Sequence, residues 1–155
     1  MSGISRLSEP KVAQEIREIF ERHKERISNI SPVISIIESL VEHFDTFIRR
    51  EIDDIRKQLD ILDPWFPISD EKKELNNLEN NFETVSSKLL SLLTDVKQGK
   101  ITDLKSVDLN IIMSAFKIID DVEKLWNKTQ KWSLSLLKQA ELFRQWLEEI
   151  LPKEE

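Results

Sequence analysis

The chain has 155 residues, 34% of them charged, with two glycines, five prolines and no cysteine. It is long enough to bury a core without staples, and the missing cysteine excludes a disulfide framework, a cysteine-based zinc site and a thiol nucleophile. The net charge is −6 and no segment is strongly basic; residues 32–64 carry 4 basic and 8 acidic side chains, so the positive stripe that phosphate-driven nucleic-acid binding needs is missing.

The first helix is expected over about 9–29, with Ser8 as N-cap and Pro10 in the first turn, where a missing N–H costs nothing. Val12, Ile16, Ile19, Phe20, His23, Ile27 and Ile30 recur at steps of three and four, the stripe of an amphipathic helix. In "SPVISII", Ser31 reads as a cap and Pro32 as the first position of a second helix, about 32–62. Its first half is apolar over a wide arc through Val33, Ile34, Ile36, Ile37, Leu40, Val41, Phe44, Phe47 and Ile48. Its second half narrows to Ile52, Ile55, Leu59 and Leu62. Asp63 precedes Pro64, which disfavours the helical region and predicts the stop.

"DPWFPIS", Asp63 to Ser69, sets a tryptophan and a phenylalanine between two prolines. Ser69 reads as the cap of a third helix, about 70–98, with Asp70 and Glu71 in the positive first turn. Leu75, Leu78, Phe82, Val85, Leu89, Leu92 and Val96 alternate steps of three and four, a heptad seam. Gly99 is the expected C′ glycine. After the short polar connection "KITDLKS", a last segment over about 107–151 contains neither Gly nor Pro until Pro152. Its stripe runs Ile111, Ala115, Ile118, Val122, Leu125, Thr129, Trp132, Leu136, then slips in phase to Ala140, Phe143, Leu147 and Ile150. One continuous helix is favoured over a break near 127–133, because no true breaker is present.

These elements predict one all-α domain over 1–155: an elongated antiparallel bundle of four long helices, five if the last one breaks, with coiled-coil-like packing. The second and third helices form a hairpin with "DPWFPIS" at its tip. At about 1.5 Å per residue, the last helix draws level with the tip near Trp132 to Lys138 and overshoots by about a dozen residues. The overhang carries Ala140, Phe143, Trp146, Leu147, Ile150 and Leu151, an apolar patch that soluble monomers avoid. It folds back, pairs with a second copy, or receives another protein. Trp65 and Phe66 are expected to turn back on Trp132, Leu136 and Leu137 and close the core end; the alternative is that they point outward beside the overhang as a handle for a partner.

Chemistry-bearing patterns are sparse. The only histidines, His23 and His43, lack the Glu three residues earlier that a di-iron bundle needs. Asp53–Asp54 and Asp120–Asp121 are adjacent pairs that point about 100° apart on a helix. Two glycines leave no phosphate cradle. Arg17-x5-His23 is similar to the Arg-x4–6-His motif of HEPN-domain ribonucleases, which are small helical bundles; the resemblance implies ribonuclease activity that depends on His23. The chain departs from that family in placing the motif on its first helix and following Arg17 with Glu18, and the family is not assigned.

The reading is therefore a non-catalytic interaction or scaffold subunit that assembles through helix–helix packing, with no metal or cofactor. Its interface residues are Trp65, Phe66, Phe143, Trp146, Leu147 and Ile150, and its partner is a second copy or another helical protein. The alternative is a helical subunit of a nucleoprotein complex touching RNA or DNA through Arg22, Lys24, Arg26, Arg49 and Arg50. Glu18, Glu21 and Glu25 interleave the first three of these as ordinary intrahelical neighbours. The HEPN-like ribonuclease is the lesser alternative. No window reaches the roughly 18 apolar residues of a membrane span, and "MSGISRLSEPKVAQEIRE" lacks the apolar region of a signal peptide, so a cytoplasmic protein is expected. Surface binding to a membrane through the last helix conflicts with Glu148 and Glu149.

Overall fold

The computed structural model describes residues 11–23 and 30–151. Every element among them is helical: α1 (Lys11–His23), α2 (Ser31–His43), a π-helical turn (Phe44–Ile48), α3 (Arg49–Leu62), α4 (Ser69–Lys97), a 3-10 turn (Leu104–Ser106) and α5 (Leu109–Ile150). The expected first-helix start at Ser8 to Pro10 and its end over 24–29 lie outside the described residues. α5 is a single helix of 42 residues, so the break near 127–133 does not occur.

α2, the π turn and α3 form one rod, and the π turn has a cause in the sequence. The buried positions are Ile37, Leu40, Phe44, Ile48, Ile52, Ile55, Leu59 and Leu62. They are spaced three, four, four, four, three, four and three. Each step of four carries a stripe about 40° around an α-helix unless a step of three brings it back. Three consecutive fours would turn Ile48 and Ile52 away from the core. The wider i→i+5 turn over Phe44–Ile48 absorbs one surplus residue and keeps both halves on one face. Two residues of the expected wide arc, Ile36 and Phe47, are exposed instead, as is Ile19 on α1.

α4 returns antiparallel to this rod. All seven seam residues, Leu75 to Val96, are buried, and Phe44 stacks on Phe82 with ring centroids 5.2 Å apart. Ion pairs mark the same register along the surface: Glu38 with Lys97 at 3.0 Å, Arg49 with Glu83 at 3.4 Å, Arg56 with Glu79, and Asp60 and Asp63 with Lys72 at 3.4 and 3.0 Å. The Asp63 hydrogen bond is the main reason the Lys72 ammonium titrates above its usual value. Partly exposed pairs of this kind are worth at most about 1 kcal/mol each, so the apolar seam carries the register. α5 packs against both α3 and α4, and α1 packs against α5.

Three local expectations are corrected. Ser31 and Ser69 open their helices as first helical residues, and the N-caps are Ile30 and Ile68, neither with a side-chain cap bond. Asp63 keeps helical angles (φ −51°, ψ −47°) despite the following proline; the helix still ends at Leu62 with Asp63 as its C-cap, because Pro64 has no N–H to give. The "KITDLKS" link is not simply polar, because Leu104 and the following Val107 are buried. Gly99 does end α4, at φ 77°. Its N–H donates to the Val96 carbonyl and that of Lys100 to Asp95, the paired bonds of a Schellman motif.

Deleting exposed Thr46 should convert the seam to an unbroken three–four alternation and the π turn to ordinary α-helix. The variant should fold with a thermal midpoint, followed by circular dichroism, equal to or above that of the parent. A loss of more than about 2 kcal/mol would contradict the one-residue surplus.

Candidate interaction surface

At the tip, α5 is held by side chains of mixed character. Phe66 packs on Trp132 with centroids 4.8 Å apart, and Trp132 Nε1 donates to Glu71 Oε2 at 3.1 Å. Gln58 Oε1 accepts from Gln130 Nε2 at 2.9 Å and from Ser133 Oγ at 3.2 Å. Lys128 pairs with Glu74 at 3.0 Å. Thr129, fully buried, donates to the Leu125 carbonyl at 2.9 Å. Gln58 thus lies level with Gln130 and Ser133, which puts the end of α3 level with about Leu136.

Beyond that level no other described helix covers α5. From Leu137 to Leu151 every residue is exposed except Leu147, which is half-buried. From the half-buried Leu136 onward, Ala140, Phe143, Leu147 and Ile150 continue at steps of four and three, a coiled-coil seam that no described residue of another helix covers. Leu142 and Trp146 widen the seam on one side, and the Phe143 and Trp146 rings stack at 5.9 Å. The other side is polar. Arg144 is hydrogen-bonded to Glu141 and pairs with Glu148 at 3.0 Å. The Arg144 hydrogen bond holds the Glu141 carboxyl below its usual range. At the base of the overhang lies an apolar groove of about 200 Å³ lined by Gln58, Ile61, Leu62, Ser133, Leu136 and Leu137.

The expected pair in the tip loop divides. Phe66 is half-buried against Trp132, while Trp65 is 67% exposed. The expectation that both rings close the core end is corrected for Trp65. The physical reason is Ile68, which is 1% exposed and, with Phe66, already fills that end. Phe143, Trp146 and Ile150 are exposed and Leu147 half-buried, on one stretch of helix. The sequence reading missed Ile61, whose signal was a large apolar residue off the stripe beside Leu62.

Arg49 lies over the Phe82 ring at 4.9 Å and pairs with Glu83. Arg50 and Arg22 are exposed on α3 and α1. Lys24 and Arg26 lie outside the described residues, as does the Arg17 side chain, and His23 is half-buried. Among the described residues no three histidine, aspartate or glutamate side chains cluster to hold a metal, and no helix is long and apolar enough to cross a membrane. No protein-family model matches this chain, and neither does any curated protein or solved structure.

Trp132→Ala should destabilise the chain by about 2 kcal/mol, since it removes the Phe66 contact and the Glu71 bond. Trp65→Ala should change stability by less than about 0.5 kcal/mol. Urea unfolding of both variants checks the division of roles. Equal losses would return Trp65 to the core.

Proposed function

We propose that this protein is a non-catalytic assembly subunit that binds a helical protein surface with the free end of α5. One observation carries the reading: an apolar seam from Ala140 to Ile150 has no partner among the described residues, yet keeps the spacing of a helix–helix interface. Several large apolar side chains on one helical face are costly to leave in water, at about 25 cal/mol per Å². Such patches mark interaction sites on soluble proteins. Trp146 and Phe143 lie mid-seam, and large aromatic rings are the usual anchors of an interface. The groove beside Ile61 supplies a concave counterpart at the base. The charged residues Glu141, Arg144 and Glu148 bond among themselves along the opposite edge, which leaves the apolar face clear. The same residues give no nucleophile, base or oxyanion donors in one place.

The test is sedimentation of the fluorescently labelled full chain in cell lysate, beside the double variant Phe143→Glu, Trp146→Glu. The parent should sediment heavier than its 18.3 kDa monomer, and the variant should return to monomer with unchanged circular dichroism. A parent that runs as a monomer indistinguishable from the variant would contradict the assignment.

A further inference from the structure

We infer that the occupant of the α5 overhang is a second copy of the same chain, laid antiparallel across it around a two-fold axis. The inference rests on the proposed helix-binding role and names its partner. Three observations point to self-pairing. The first is the face itself: Ala140, Phe143, Leu147 and Ile150 keep the spacing of a helix–helix seam and carry no charge, so one copy can offer the same apolar face to another.

The second observation is length. The stretch from Leu137 to Ile150 spans about 20 Å. Two such stretches overlapped in full place the axis between Phe143 and Arg144. Ile150 of the partner subunit then falls level with Leu136 and Leu137, against the groove that Ile61 lines, and the reverse holds for the other copy. Each overhang ends where the other copy's three-helix tip begins. The surface is therefore self-complementary, as a two-fold interface must be.

The third is area. Leu137, Leu142, Phe143, Trp146, Ile150 and Leu151 are each about half to two-thirds exposed, and Ile61 in the groove is 63% exposed. At on the order of 100 Å² each they offer roughly 700 Å² per copy. One partner in a standard stable interface contributes about 800 Å². A micromolar dimer needs no contribution from other faces of the bundle.

The experiment is sedimentation equilibrium on the purified full-length chain, joined to spin-label distances. The chain has no native cysteine, so Gln145→Cys and Lys131→Cys each carry one nitroxide. The expected result is a dimer mass, Gln145 labels within about 25 Å of each other and Lys131 labels roughly 40 Å apart, from the helical rise and the spacing of packed helices. Phe143→Glu should weaken the dimer at least about 30-fold without loss of helicity. Equal short distances at both positions would mean parallel pairing and overturn the inference. So would a purified chain whose self-association is weaker than about 1 mM. If that monomer still sediments heavy in lysate, the second copy is excluded and the helix-binding role stands. If it is monomeric in both, both readings fall.

Discussion

An amphipathic helix is stabilised only along the length where something covers its apolar stripe, and the arrangement of this molecule follows from a mismatch of lengths. α4 has 29 residues and α5 has 42. Both begin or end near the same level of the bundle, so α5 must outrun the hairpin it packs on. The α5 stripe is buried from Ala115 to Thr129 and half-buried at Trp132 and Leu136. Past the phase slip from Leu136 to Ala140 the apolar spacing continues into solvent. The tether at the boundary is polar as well as apolar: Gln58 bridging to Gln130 and Ser133, and Trp132 bonded to Glu71 while resting on Phe66. These contacts fix where the helix leaves the bundle and in which rotation, and thus which way the uncovered seam faces.

Much of this is legible in the residues because helices with heptad spacing leave little freedom. Leu75 through Val96 define α4 without ambiguity, since every seam position is apolar and Gly99 supplies a left-handed turn at its end. The overhang follows by counting residues along two antiparallel rods. Other features resist such reading. The π turn is invisible to a search for apolar positions alone, and emerges only when the step lengths from Ile37 to Leu62 are written out and one residue is found in excess. Asp63 stays helical because the preference against that region before proline is modest, and Asp63 also has Lys72 to pair with. Trp65 and Phe66 are neighbours with similar apolar area; the Phe66 ring packs on Trp132 and Trp65 stays exposed. That is a matter of packing, which spacing does not encode.

Arg49 lies on the wall of the bundle, over the Phe82 ring and paired with Glu83. Thr129 is the one buried polar side chain among the described residues, and its hydroxyl is satisfied by its own helix, so it reads as a core residue. The end of α5 gathers the longest run of exposed large apolar side chains on the described surface, beside the groove at its base. A binding role for that end uses the large side chains that the fold itself leaves uncovered.

The most direct measurement is residue-resolved hydrogen exchange along α5 in a sample dilute enough to be monomeric. Strong protection from Ile112 to about Leu136 and rapid exchange from Lys138 to Ile150 would match a helix whose last turns have no intramolecular support. Uniform protection through Ile150 in that monomer would show that the chain covers its own seam, and would contradict the account.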